Sequence, residues 1–221
     1  MIPAAPRPQR RHARSLWIGL ASVLAALLLS VFVFGVVRVD GHSMEPTLHN
    51  GDRVLVLRTG AWLHRLGIGS YHAGDIVFFP DPTVRESALQ RLLGGHLLIK
   101  RIVAGPDRQV ALDDGRVVVD GRVLPERYLA GAFRGADSIP PMRVPARHDY
   151  VMGDNRHPLA SFDSRSFGPV PAGTIEGRAV LVVWPLFRRT LRGWRWNVHA
   201  VTAPPRPARS DERPAAPSGA R

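Results

Sequence analysis

An uncharged apolar run near the N-terminus constrains this chain more than any other feature of its sequence. Residues 16–37 read LWIGLASVLAALLLSVFVFGVV, which is 22 residues without a charge. As a helix rising about 1.5 Å per residue, the run would span ~33 Å and cross a hydrocarbon core about 30 Å thick. A cleaved secretory leader would have an apolar core of about 7–15 residues followed by a small-x-small site. This run is longer and no such site follows it, so we predict an uncleaved transmembrane anchor helix at 16–37.

The distribution of charge orients this anchor and argues against one class of function. The net charge is +12, but residues 1–15 hold four arginines and no acid, and residues 188–221 hold eight arginines and two acids. The positive-inside rule therefore predicts a cytoplasmic N-terminal tail, with residues 38–221 outside the cytoplasmic membrane. Because the excess charge is confined to the chain ends and the predicted domain lies outside the cytoplasm, we do not expect a nucleic-acid partner.

The region after the anchor predicts a mostly β fold. Segments rich in Val, Ile and Leu are separated by Gly, Asp and Pro; they are Arg53–Leu57, Asp75–Phe79, Leu97–Ala104, Gln109–Leu112, Arg116–Val119, Tyr150–Met152 and Ile175–Trp184. Tight turns of a meander are predicted at 113–115 and 120–122. Short helices are predicted at 61–66 and 84–93.

Composition divides the remainder of the chain. We predict a β-rich domain at 38–187, a basic aromatic segment at 188–202 and a disordered Pro/Arg-rich tail at 203–221. Trp194 and Trp196 alternate with arginines in the second of these, and Trp62 and Leu63 lie in another apolar stretch. Since Trp favours membrane interfaces and Arg favours anionic head groups, one or both stretches are expected to touch the outer leaflet.

Cysteine and lysine usage narrows the possible chemistry. The chain has no cysteine, which excludes a thiol nucleophile, a disulfide framework and cysteine-based metal sites. Its nine histidines have no metal-ligand spacing, so neither a metal nor a cofactor is expected. Of 30 basic residues, Lys100 is the single lysine. A GC-rich genome accounts for the arginines but not for the exception, and a buried lysine, unlike arginine, can lose its proton.

Two motifs supply a candidate nucleophile and a candidate base. The sequence GHSMEPTL at 41–48 places Ser43 in a turn, where its hydroxyl and its own N–H can face the same point. In the apolar run IKRIVAG at 99–105, strand alternation turns either Lys100 or Arg101 toward the interior. Lys100 is the better candidate for burial because desolvation lowers the pKa of lysine. Taken singly, the first motif fits an ordinary serine loop equally well, and the second fits a snorkelling edge-strand lysine better than a buried base.

A third motif, GDNRHPLASFDSR at 153–165, combines a hydrogen-bonded turn with a possible ion pair. Asp163 and Arg165 are placed to form that pair, and Ser161 could orient a nearby lysine amine. The alternative is a solvated polar loop.

The order of the three motifs behind an N-terminal anchor resembles bacterial type I signal peptidases, over residues 16 to about 185. The resemblance implies a mostly β catalytic domain on the outer face of the cytoplasmic membrane. It also implies that the substrates are the signal peptides of exported preproteins, cut after small-x-small residues. It assigns Ser43 as nucleophile and Lys100 as general base. The implied supporting residues are Ser161 on the lysine, the pair Asp163 and Arg165, the bracing turn Gly153, Asp154 and Asn155, and Met44 as a pocket wall.

Two departures from the family pattern bear on the site. Some members carry an oxyanion-binding serine two residues before the nucleophile, where this chain has Gly41, so the second oxyanion donor is not identified. Four residues, 157–160, separate Arg156 from Ser161, where common members have two. The Arg- and Ala-rich composition with a single anchor is typical of an actinobacterial member.

Residue chemistry supports the same mechanism without the family. A serine hydroxyl needs a base, and His42, as a sequence neighbour on an extended segment, points away from Ser43. This favours Lys100 and the Ser–Lys variant of the triad.

Other functions were weighed against this one. Autoproteolytic repressors use a related site but carry a DNA-binding helical domain in place of the anchor. A catalytically silent, membrane-anchored binding protein and a peptidase with another extracytoplasmic substrate are the alternatives that remain. The sequence carries no signal for oligomeric state.

Overall fold

Antiparallel strands make up most of the regular structure of the chain. The computed structural model describes residues 17–26, 30, 33–61, 71–85, 95–129, 131, 134–190 and 193–201. The strands are β1 (Phe34–Arg38), β2 (Arg53–Leu57), β3 (Ile76–Pro80), β4 (Leu97–Ala104), β5 (Gln109–Asp113), β6 (Arg116–Val119), β7 (Arg122–Val123), β8 (Ile139–Arg143), β9 (His148–Met152), β10 (Val170–Pro171), β11 (Gly177–Trp184), β12 (Phe187–Thr190), β13 (Gly193–Trp196) and β14 (His199–Ala200). A short α-helix, Ser164–Phe167, and a 3₁₀ turn, Ala172–Thr174, precede β11.

The strands form one large sheet and two smaller units. The large sheet has the order β1-β2-β11-β3-β4-β9-β10, and β14 also pairs with β11. A second sheet has the order β7-β6-β5-β8, and β12 and β13 form a separate hairpin. The prediction of a mostly β fold is therefore confirmed. β4 lies between β3 and β9, so residues near its middle have a paired strand on each side within the sheet.

The β-strand predictions agree closely with the structure where the sequence alternates or runs apolar between turn residues. The predicted bounds of β2, β4 and β6 are those observed, and the other predicted strands differ by one or two residues at one or both ends. Both predicted turns are present, with positive φ at Asp114 and Gly115 (45° and 71°) and at Asp120 and Gly121 (50° and 74°). Left-handed conformations at both central positions join strands into a tight hairpin, which is why Asp-Gly marks these sites.

The predicted anchor helix is wrong at its C-terminal end. Residues 17–26 are helical with exposed apolar side chains, but Phe34–Arg38 form β1, paired along its length with β2. Valine and phenylalanine favour strands as well as membrane helices, so hydrophobicity alone did not separate the two states. Among the described residues, no helix has both the length and the apolar character needed to cross a membrane.

The C-terminal boundary of the domain also differs from the prediction. Residues 187–196 form the β12–β13 hairpin, β14 pairs with β11, and Val201 packs against the core. The β-rich unit therefore extends to residue 201, because arginines and tryptophans that read as a basic segment also alternate as strands. Of the predicted helices, 62–66 and 86–93 lie outside the described residues, and Val84 is not helical. The predicted disordered tail, 203–221, also lies outside them.

Apolar side chains beneath residues 39–52 fix the loop that carries Ser43. Met44 and Leu48 are fully buried in a cluster with Val39 and with Val54 of β2. Burying a Met or Leu side chain contributes roughly 1.5–3 kcal/mol. We call residues 39–52 the nucleophile loop; its apolar residues bind it to the large sheet and leave Ser43 half-buried above them.

Candidate active site

The structure brings Ser43 and Lys100 together. Lys100 Nζ lies 2.9 Å from Ser43 Oγ and donates a hydrogen bond to the carbonyl oxygen of Ile99, also at 2.9 Å. The Lys100 side chain extends from the covered strand β4, and the residue is only 3% exposed. A neutral amine held by Ile99 keeps a lone pair that can face the serine hydroxyl, so this geometry suits proton transfer between the two atoms.

Burial lowers the pKa of Lys100 from 10.5 to about 8, because the charged ammonium loses solvation. The carboxylates of Asp163 and Asp154 act in the opposite direction, and the guanidinium of Arg165 supports the lowering. The neutral fraction near neutral pH is therefore much larger than that of an ordinary lysine, as a general base requires.

The turn at 153–155 holds the backbone on either side of the serine side chain. The N–H of Asn155 donates to the carbonyl oxygen of Ser43 at 3.0 Å, and Asn155 Nδ2 donates to that of His42 at 3.2 Å. At Gly153, a Cβ would lie 2.5 Å from the Ser43 carbonyl oxygen and 2.3 Å from Ser161 Oγ. Only glycine permits this approach, which explains why the turn begins with that residue.

Asp154 links the nucleophile loop to β4 through buried charge. Arg101 donates to both Asp154 carboxylate oxygens, at 2.8 and 2.6 Å, and to the carbonyl oxygen of Gly74 at 2.8 Å. Thr47 Oγ1 also donates to Asp154. The sequence favours Lys100 over Arg101 for burial, yet Arg101 is only 1% exposed. That expectation is wrong because a bidentate carboxylate and a carbonyl satisfy the guanidinium.

Glu126 and Tyr128 complete this network and were missed by the sequence analysis. Arg156 pairs with both Glu126 carboxylate oxygens and donates to the Gly153 carbonyl oxygen at 2.8 Å. The Arg101 guanidinium stacks 3.9 Å from the centre of the Tyr128 ring. Glu126 and Arg156 are 30 positions apart, and in the sequence each resembles an ordinary surface charge, so no sequence signal identified the pair.

Asp163 and Arg165 form the predicted ion pair. Arg165 donates to both Asp163 carboxylate oxygens at 2.9 Å, and the N–H of Gly153 donates to Asp163 at 2.9 Å. Burial raises the pKa of the Asp163 carboxyl, but Arg165 and the Gly153 N–H outweigh it and hold that pKa below its usual value. Arg165 also donates to Asp137 at 2.6 Å, so the ion pair connects the turn at 153–155 to the segment just before β8 of the second sheet.

Ser161 lies at the site, although the bond predicted for it is not formed in this structure. Its hydroxyl is buried beside Gly153 and makes no hydrogen bond of ordinary geometry with a described residue. The longer loop before it turns outward, with the Ala160 N–H bonded to the His157 carbonyl oxygen and Leu159 fully exposed. The longer loop thus projects outward while Ser161 lies beside Gly153, and the contact of Ser161 with the lysine amine stays a prediction.

The sequence neighbours of Ser43 have partners or surroundings of their own. His42 is exposed and lies 2.8 Å from Glu45, while the Gly41 N–H donates to Asn50 Oδ1 at 3.1 Å. Met44 is fully buried in the core, and its pocket-wall role stays a prediction. Within the described parts of the chain, no three His, Asp or Glu side chains converge as metal ligands.

A serine hydroxyl thus lies beside a buried amine, and paired charges brace the backbone around them. The family model described as "Signal peptidase, peptidase S26" matches residues 12–184. A probable signal peptidase I-1 of Synechocystis sp. is 32% identical over 183 residues, which cover 83% of this chain and 88% of that protein. Signal peptidase I T of Bacillus subtilis is 32% identical over 173 residues, covering 74% and 81%. Signal peptidase I of Leptolyngbya laminosa is 35% identical over 182 residues, covering 77% and 78%.

The chain therefore belongs to the peptidase S26 family of signal peptidases. It is a peptide-bond hydrolase, and the resemblance read from its motifs is confirmed at the level of the family.

Replacing Asp154 with asparagine should destabilise the fold by roughly 3 kcal/mol or more, since it leaves the Arg101 guanidinium buried without a counter-charge. Asp120→Asn is the matched control, because the Arg108–Asp120 pair is exposed and such pairs contribute about 1 kcal/mol at most. Denaturant unfolding of both variants measures the difference. Equal losses would contradict the structural role assigned to Asp154.

Proposed function

We propose that this signal peptidase cleaves preproteins by a Ser43 nucleophile and a Lys100 general base, after small-x-small residues. The observation that carries the proposal is the 2.9 Å contact between Ser43 Oγ and the buried Lys100 Nζ. The lowered pKa of Lys100 supports it, because a base must be neutral before it can accept a proton.

The mechanism follows from that contact. Neutral Lys100 accepts the hydroxyl proton as Ser43 Oγ attacks the scissile carbonyl carbon. Lys100 then donates the proton to the departing amine, which is the new N-terminus of the mature protein. The signal peptide stays esterified to Ser43 until a water molecule, activated by Lys100, hydrolyses the ester. The chemistry needs only these two side chains and water.

The surrounding residues act on geometry. Asn155 holds the carbonyl oxygens of His42 and Ser43, which directs the Ser43 N–H toward the side on which an oxyanion forms. Gly41 has no hydroxyl to contribute, and its N–H is bonded to Asn50. The Ser43 N–H is therefore the oxyanion donor in this proposal.

The proposed base gives a direct test in Lys100→Arg. Wild-type activity should rise as pH increases through about 8, since the ammonium form present below that pH cannot accept a proton. The guanidinium of Lys100→Arg stays protonated, so this variant should lose about a hundredfold or more of kcat at every pH. Preprotein cleavage by detergent-solubilised protein across a pH series measures both effects.

Two controls accompany that series. Ser43→Ala should abolish cleavage, and a fully active Ser43→Ala variant would exclude Ser43 as nucleophile. Thermal melting shows whether Lys100→Arg is folded, because burying a guanidinium carries its own penalty. A folded Lys100→Arg variant with near wild-type cleavage would remove Lys100 as the base and make His42 the next candidate.

The specificity of the proposed reaction rests on small side chains before the cut. Shallow pockets beside Ser43 would admit alanine at the first and third positions and exclude larger residues. A panel of preproteins that differ only at the first position should therefore show cleavage with Ala and Gly and little with Leu or Phe. Equal cleavage of the Leu and Ala substrates would contradict this specificity.

The proposed location is the cytoplasmic membrane, with the N-terminus inside and the catalytic domain outside. The arginines within residues 1–15 support this orientation. Exposed Trp194 and Trp196 lie on one face of the β12–β13 hairpin with Arg189, a combination suited to the outer leaflet.

Protease added to intact spheroplasts should remove a C-terminal epitope. Lysed spheroplasts serve as the control for epitope cleavage, and an epitope that is protected until lysis would contradict the orientation.

Brominated lipids should quench the tryptophan fluorescence of the wild type more than that of a Trp194→Phe, Trp196→Phe double variant. Equal quenching of the two proteins would contradict lipid contact by the hairpin.

A further inference from the structure

Asp52 closes the nucleophile loop at its base. The Val39 N–H donates to the carbonyl oxygen of Asp52, and the Gly51 N–H donates to that of Val39, both at 2.8 Å. The Asp52 carboxylate turns inward and is fully buried. One of its oxygens accepts the N–H of His49 at 2.8 Å, so the side chain holds the last turn of the loop.

The counter-charge for this carboxylate comes from outside the loop. Its other oxygen contacts Nη2 of Arg188, in β12, and Nδ2 of Asn197 at 3.3 Å, immediately after β13. Arg188 and Asn197 are also linked to each other, with Arg188 Nε 3.4 Å from Asn197 Oδ1. Among the described lysines and arginines, Arg188 alone lies within ion-pair distance of Asp52. Burial, followed by repulsion from Arg188, lowers the pKa of the nearby His49. The imidazole is therefore mostly neutral at pH 7, and the positive charge beside Asp52 is that of the Arg188 guanidinium.

The hairpin presents this arginine selectively. Arg188 and Arg195 are directly paired and share one hairpin face, yet Arg188 reaches Asp52 whereas Arg195 is exposed and forms no ion pair with a described residue. Phe187 and Trp196 occupy the other face and pack edge to face at 5.1 Å. The match to the family model ends at residue 184, so the hairpin lies beyond it.

We propose that Arg188, assisted by Asn197, is a positioning residue for Ser43. Through Asp52 it fixes the base of the nucleophile loop and hence the separation between Ser43 Oγ and Lys100 Nζ. The path is short: Asp52 holds the N–H of His49, and the next residue back, Leu48, is bonded through its N–H to the carbonyl of Met44. The inference rests on the proposed roles of Ser43 and Lys100.

The test is steady-state kinetics of the full chain in detergent with a peptide substrate. Arg188→Gln should lower kcat by about tenfold or more, because displacements near 1 Å at reacting atoms cost up to about a hundredfold. KM and the midpoint of the pH–rate profile should stay unchanged, since neither substrate contacts nor the surroundings of Lys100 are altered. Arg188→Lys, which keeps the charge, should recover part of kcat, and Arg195→Gln should behave as wild type.

A double-mutant cycle tests whether Arg188 acts through Asp52. Asp52→Asn combined with Arg188→Gln should lower kcat no further than the more damaging single change, because both remove the same interaction. All rates are measured well below the melting temperature of each variant, so that unfolded protein does not contribute.

The inference would be overturned by wild-type kcat in folded Arg188→Gln, by an equal loss in Arg195→Gln, or by additive losses in the cycle. A change confined to KM, or a shifted pH midpoint, would equally exclude a role in serine positioning. Ser43→Ala and Lys100→Arg are assayed beside the Arg188 variants. They distinguish a failure of the positioning role from a failure of the proposed Ser43–Lys100 mechanism. If those variants are inactive while Arg188→Gln is unaffected, only the positioning role fails; if Ser43→Ala remains active, the proposed mechanism fails first.

Discussion

The amine of Lys100 can be buried beside a serine because the charges packed around it are neutralised by partners of their own. Asp154 is paired with Arg101, and Asp163 is paired with Arg165. An unpaired carboxylate among them would hold Lys100 in its ammonium form and remove the base. The pairs thus serve the site by cancelling each other's fields, while desolvation remains the dominant influence on the lysine.

Those pairs also connect parts of the chain that lie far apart in sequence. Asp154 joins the nucleophile loop to β4, and Arg156, which is paired with Glu126, joins the turn at 153–155 to the segment that follows β7 of the second sheet. Buried ion pairs add little stability compared with apolar packing, but breaking one of them is costly. The network therefore favours a single arrangement of the loop, the turn and the strand over slightly displaced alternatives.

The sequence was informative where local patterns determine structure. The bounds of β4 and the Asp-Gly turns could be predicted, because apolar runs and left-handed turn residues act over a few positions. It also indicated Ser43, Lys100 and the turn at 153–155, since their motifs are contiguous. The strand at 34–38 could not be separated from the apolar run before it, and Glu126 and Arg188 gave no signal because their partners lie 30 and 136 positions away.

The edge position of β1 has a practical consequence for anyone preparing a fragment without the N-terminal run. A cut at residue 38, where the uncharged sequence ends, would delete β1 and leave the backbone edge of β2 unpaired. Exposed edges of this kind recruit other chains and cause aggregation. A fragment that begins before Phe34 keeps β1, so that β2 stays paired on both sides and Val37 keeps its contact with the core.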